Sequence, residues 1–122
     1  MGYQSDVALA VSSKALPVLM HILSKTPGGR DFCFQDHDHL IKDYGGQEGA
    51  ILFYWSGIKW YTSDPVITAV NDFLKRMEDL TNEDCEEWEE EWRFVHLGED
   101  QDDMEVRGYG FSDVSISREI NF

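Results

Sequence analysis

Ser63-Asp64-Pro65-Val66-Ile67-Thr68-Ala69-Val70-Asn71-Asp72-Phe73-Leu74-Lys75-Arg76-Met77 is the stretch from which the fold is read. Ser63 and Asp64 offer capping oxygens, and Pro65 stands at a first helical position, where its missing N–H costs nothing. Behind this start, Ile67, Val70, Phe73, Leu74 and Met77 recur at three- and four-residue steps, the apolar stripe of an amphipathic helix. A helix with one apolar stripe must be covered by another layer, so its neighbours decide the class.

Upstream, residues 51–55 are a continuous apolar and aromatic run, predicted as a central strand. Ser56-Gly57 reads as a two-residue turn, with 58–61 returning antiparallel. Downstream, residues 81–91 are predicted as a third helix, placing Thr81, Cys85, Trp88 and Trp92 on one face. Residues 93–97 alternate as a strand, 98–103 turn, 104–111 return, and Val114, Ile116 and Ile120 mark a last strand. At the other end, 6–11 reads as a buried strand. Ser12 or Ser13 then caps a helix carrying Pro17 in its first turn and Leu16, Leu19, Met20 and Leu23 on one face. Thr26-Pro27-Gly28-Gly29 stops that helix. Phe32 and Phe34 alternate like a half-exposed strand, and the polar stretch 36–49 reads as a loop. The resulting order predicts a single α+β domain over residues 1–122. It is an antiparallel sheet with two or three helices on one face, a ferredoxin-like variant among the options.

Net charge is the second signal. The chain carries a formal −14, and residues 78–105 hold 14 acids against one base, Arg93. That stretch alone supplies −13, leaving the rest near neutral. Such concentration suits a basic partner and disfavours direct contact with nucleic acid or anionic membrane. Apolar residues make up 42%, too many for a wholly disordered acidic chain. No run approaches the roughly 20 apolar residues of a membrane span. The N-terminus lacks the pattern of a secretory signal, and Asp6 breaks that of N-myristoylation, so a cytoplasmic location is expected. Cys33 and Cys85 form no CxxC pair, and two buried thiols are predicted rather than a disulfide.

Within 83–91, seven of nine residues are acidic. On one helix they would extend over about 13 Å, or about one charge per 2 Å, close to the duplex DNA value of roughly 1.7 Å. Like-charge pairs at four-residue spacing cost a few tenths of a kcal/mol each, which invites a functional reading beside the plain one of a solvated, solubilising face. The candidate partner-binding residues are Glu83, Asp84, Glu86, Glu87, Trp88, Glu90, Glu91, Trp92, Glu99, Asp100, Asp102 and Asp103. Either tryptophan would anchor an interface if exposed.

Other constellations are weaker. Asp36-His37-Asp38-His39 offers two imidazoles and two carboxylates to a divalent ion, without HExxH-like spacing. Residues 99–105 carry oxygen ligands but not the EF-hand spacing. Cys33 with His21, His37, His39 or His96 is a conceivable nucleophile–base pair that nothing in the spacing selects. No P-loop, GxGxxG or GxSxG sequence occurs, and no cofactor is signalled.

Gly2-Tyr3-Gln4-Ser5-Asp6-Val7-Ala8, then Lys59-Trp60-Tyr61, then Leu97-Gly98-Glu99-Asp100 with Asp103, Glu105 and Gly108, resemble the pattern of a group of small acidic accessory proteins of bacteriophages and prophages. That group carries no established activity, so the resemblance implies a setting and no catalytic residue. In that setting the expectation is a non-enzymatic protein in the cytoplasm of an infected bacterium. It would imitate DNA and occlude a basic surface of a host or anti-phage defence protein, such as a nuclease, a CRISPR effector or a restriction component. The alternatives are a metal- or small-ligand-binding module using His37 and His39 with nearby carboxylates, and a small structural phage component.

Overall fold

The computed structural model describes residues 4–34, 39–61, 63–98, 104–111, 114–116 and 120–122. β1 (Ser5–Val11) forms the middle of the sheet because its residues are apolar on both sides. Val7, Leu9 and Val11 face one way, while the small Ala8 and Ala10 face the other. β1 pairs antiparallel with β3 (Ile51–Ile58) and with β4 (Trp92–Gly98). The edges are β2 (His39–Lys42) beside β3 and β5 (Met104–Arg107) beside β4, giving the order β2-β3-β1-β4-β5. The four strands β2-β3-β1-β4, with helical connections after β1 and β3, have the ferredoxin-like arrangement, to which β5 adds a fifth strand. The fold is α+β, as the element order predicts.

Three helices cover one face: α1 (Leu16–Ser24), α2 (Gly29–Phe34) and α3 (Pro65–Glu83). Leu19, Leu23, Cys33, Val70, Phe73, Leu74 and Met77 meet Leu9, Phe53, Trp55 and Phe94 there. α3 begins as its sequence dictates, with the Asp64 carboxylate accepting from Val66 N at 2.9 Å and Pro65 following. α1 is preceded by Ser12, whose Oγ accepts from Ala15 N at 3.2 Å.

The opposite face is closed by the C-terminal segment, where β6 (Ser115–Ile116) pairs with β7 (Ile120–Asn121). Phe111, Val114 and Ile120 settle on Ala8, Ala10 and Val95, and Tyr44 joins them from a 3-10 turn over Tyr44–Gly46. Side chains larger than alanine at 8 and 10 would hold this segment off the sheet. Phe122 closes the layer against Tyr54, with ring centroids 4.9 Å apart.

Several expectations need correction. Ser56-Gly57 is no hairpin turn: β3 runs through it to Ile58. The two residues form a bulge opposite Asp6, with Gly57 at φ +63°. The Asp6 carboxylate accepts from Gly57 N at 2.9 Å and from Ser56 Oγ at 3.3 Å, which satisfies the displaced backbone. Phe32 belongs to the helical turn α2, not to a strand. Its ring stacks on Trp55 at 4.8 Å, and its carbonyl accepts from Trp55 Nε1 at 3.1 Å. The expected loop 36–49 contains β2, an edge strand with only Leu40 and Ile41 half-buried. The return strand ends at Arg107 rather than 111, and the last strand is a short hairpin.

Candidate partner-binding surface

Residues 83–91 do not form one helix. α3 ends at Glu83, and Asp84 leaves helical geometry at φ −146°. The Asp84 carboxylate then accepts from Glu87 N at 3.2 Å and starts a new single turn, α4 (Cys85–Trp88). Residues 89–91 lead directly into β4. The expected correspondence with duplex phosphate spacing required one straight helix and is lost. In its place is a compact acidic turn at the end of the sheet.

That turn is held from two sides. Ser12 N donates to Glu91 O at 2.9 Å, while Tyr109 N donates to Glu89 O and Gly110 N to Trp92 O, both at 3.2 Å. Lys14 reaches over α4: its ammonium lies 4.7 Å from the centroid of the Trp88 ring and 2.8 Å from the Glu87 carboxylate. It also donates to Glu87 O at 3.3 Å. Trp88 is therefore half-buried beneath a cation, a contact of about 0.5–1 kcal/mol at an exposed site.

The two tryptophans separate. Trp92 is 2% exposed, and its Nε1 donates to Thr81 Oγ1 at 3.2 Å, so it is a wall of the core and leaves the set of surface anchors. Thr81 lies in α3 and Trp92 in β4, so the face expected to join them on one helix does not exist. Glu83, Asp84, Glu86, Glu87 and Glu90 are exposed, and Glu89 and Glu91 are half-buried. Glu99, Asp100, Asp102 and Asp103 lie outside the described residues. Arg93, the one base of the acidic stretch, turns to the opposite face of the sheet. There its guanidinium donates to Val114 O at 3.0 Å and Gly108 O at 3.1 Å. It ties down the C-terminal segment and neutralises none of the acidic turn.

Neither cysteine is in a disulfide, but only Cys33 is buried; Cys85, expected inside, is exposed on α4. Its thiol donates to Glu89 Oε2 at 2.9 Å. That bond pushes its pKa up, helped by desolvation and by the field of Glu89, Glu86 and Asp84. Burial pushes the Cys33 thiol up to about 12. Neither is a thiolate at neutral pH, and the thiolate is the nucleophilic form. His39 stacks against Tyr54, and His96 Nε2 lies 2.9 Å from Ser5 Oγ. Among the described residues no three His, Cys, Asp or Glu side chains gather as a cation site. Asp36, His37 and Asp38 lie outside those residues.

Lys14, Tyr109 and Gly110, which position the turn, carry no sequence signal for that role. Lys14 and Glu87 are 73 residues apart in the chain. No family model, no curated protein and no solved structure matches this chain. No helix among the described residues is long and apolar enough to cross a membrane.

Proposed function

We propose that the chain is an acidic, non-enzymatic binding protein that occludes a basic, nucleic-acid-binding surface of another protein. The resemblance to phage accessory proteins makes that partner a host or anti-phage defence protein in the cytoplasm of an infected bacterium. The observation that carries the reading is the set Glu83, Asp84, Glu86, Glu87 and Glu90. All five are exposed over the end of α3 and the turn that follows it, with Lys14 the one cation paired to them among the described residues. The fold uses Asp84 as a cap and Glu87 as a partner of Lys14. Glu83, Glu86 and Glu90 have no such structural duty among the described contacts, yet they add repulsion. Charge of this kind accelerates encounter with an oppositely charged cleft and is screened by salt.

The test is affinity capture from bacterial lysate with wild type and with E83K/E86K/E90K, at low and high salt, with circular dichroism confirming that both are folded. Three reversals of two charges each move the formal net charge from −14 to −8. Wild type should hold a specific partner that high salt or added duplex DNA releases and that the variant does not capture. A partner held equally by the variant at physiological salt would remove the electrostatic reading.

A further inference from the structure

β5 is an open edge. It pairs with β4 on one side and ends the strand order on the other. Proteins usually protect such an edge with proline, lysine, a bulge or a covering element. β5 reads Met104-Glu105-Val106-Arg107, a short edge whose charges, Glu105 and Arg107, turn to the helix side, with no proline or lysine in it and no described strand on its outer side. Met104 and Val106 are 50% and 47% exposed, and Tyr109 just beyond is 74% exposed. The cross-strand register places Val106 opposite Val95 and Met104 opposite Leu97, so both apolar side chains lie on the face away from the helices. Glu105 and Arg107, opposite His96 and Phe94, lie on the helix side.

Two recesses lie along this edge between β5 and α3 and share Arg107 in their walls. One, of about 530 Å³, is lined by Trp60, Asn71, Phe94, His96, Met104 and Glu105. The other, of about 340 Å³, is lined by Glu78, Thr81, Asn82, Trp92, Val106 and Tyr109. The Arg107 guanidinium, ion-paired to Glu78 of α3 and 3.5 Å from Glu105, forms the bridge between them. An open strand beside a groove bounded by a helix is the geometry in which an extended peptide adds a strand. Main-chain hydrogen bonds then give affinity, and recesses take alternate side chains.

Charge selects the occupant. Two carboxylates, Glu78 and Glu105, meet one guanidinium in the groove, and Glu99, Asp100, Asp102 and Asp103 immediately precede β5 in sequence. A second copy would bring another −14 to the same edge. The other sheet edge, β2, carries Lys42 and has His39 under the Phe122 ring at 6.2 Å, and it suits a basic segment less well.

We propose that the edge of β5 and the groove between β5 and α3 form a strand-addition site for an extended segment of a partner protein in which basic and apolar residues alternate. Its basic side chains enter the recesses beside Glu78 and Glu105, and its apolar side chains cover Met104 and Val106. This deepens the proposed function and rests on it for the basic character of the partner.

The probe is a capped hexapeptide, Lys-Val-Lys-Val-Lys-Val, with a twin N-methylated throughout that keeps the charges and loses every N–H donor. Affinity is read by fluorescence anisotropy and location by amide exchange of residues 104–107. The expected result is binding that slows exchange at β5. N-methylation or M104K/V106K should weaken it about tenfold or more, the loss of two or more edge hydrogen bonds or the addition of like charge. Equal binding of both peptides without protection at β5 would overturn strand addition while leaving the acidic-face reading intact. Protection at β5 that survives E83K/E86K/E90K would support the edge site, even if that variant also captures the cellular partner unchanged and the acidic-face reading falls. No binding of either peptide, or protein-concentration-dependent dimerisation that itself protects β5, would overturn the proposal.

Discussion

Replacing Gly110 with alanine tests whether the C-terminal segment holds the acidic turn in place. The 109–110 backbone runs against residues 89–92 through two hydrogen bonds of 3.2 Å. A Cβ at 110 would stand 2.6 Å from the Glu90 carbonyl carbon and 3.2 Å from Glu90 Cα, and closer still to the carbonyl oxygen. Carbon atoms in good contact are about 3.5–4.0 Å apart, so the two segments must part by about 1 Å. Gly110 is not among the glycines at positive φ, so the cost is one of contact and not of backbone conformation. Over-packing of this kind costs about 1–3 kcal/mol. Unfolding entropy of about 2.1 cal/mol/K per residue over 122 residues translates each kcal/mol into about 4 °C, so Tm should fall by about 4–12 °C. Thermal unfolding followed by circular dichroism reads the shift. Amide exchange at Tyr109 and Gly110 should quicken in parallel. A Tm within about 1 °C of wild type, with exchange unchanged, would refute the close approach on which the anchoring of the turn rests.

Three further outcomes are expected. Asp64→Ala removes the cap of α3 and should cost about 1 kcal/mol, or about 4 °C in Tm; no change would mean that Ser63 or solvent replaces it. Trp92→Phe breaks the bond to Thr81 Oγ1 and removes ring volume from a side chain that is 2% exposed, so it should cost about 1–3 kcal/mol in urea unfolding, whereas an unchanged midpoint would contradict the buried, hydrogen-bonded indole. Cys33 gives a pH signature. Its thiol stays protonated in the fold up to about 12 but ionises near the ordinary 9.0 once unfolded. Between those limits the unfolded chain binds fewer protons, so stability falls as pH rises, by about 1.4 kcal/mol per pH unit at most from this group. The stability gap between wild type and Cys33→Ala should therefore be constant below pH 9 and shrink above it; a gap independent of pH would contradict the buried thiol.

The elements legible in the sequence are those whose burial pattern is local. α3 announces itself through Asp64-Pro65 and a stripe from Ile67 to Met77, and β1 through an unbroken apolar run. What was misread depended on partners remote in the chain. Ser56-Gly57 has the composition of a hairpin turn, yet it becomes a bulge because Asp6, about fifty residues away, supplies the acceptor for both residues. Phe32-Cys33-Phe34 is too short for alternation to separate strand from helix, and the Trp55 ring decides it. β2 has only two half-buried residues, so an edge strand reads as a polar loop. In the acidic segment the charges were evident but the break at Asp84 was not. A single carboxylate serving as cap converts an apparent long helix into a helix, a turn and a strand, and in doing so withdraws Trp92 into the core.

That break matters for binding. On an isolated acidic helix or tail, repulsion among neighbouring carboxylates would leave the charges moving independently, and a partner would have to order them at its own entropic cost. Here the turn is fixed before any partner arrives, by Ser12 from one side, Tyr109 and Gly110 from the other, and Lys14 across Trp88. The repulsion is carried by folding, through core contacts such as Phe73 and Phe94, which are buried in the same cluster as Trp92. Stability and surface charge are in this way held by different residues. Reversing Glu83, Glu86 and Glu90 should accordingly leave the fold as stable or make it slightly more so, since each reversal relieves repulsion without removing a structural contact. If instead the variant unfolded, the carboxylates would have to be part of the fold's own support, and their surplus would no longer call for a partner.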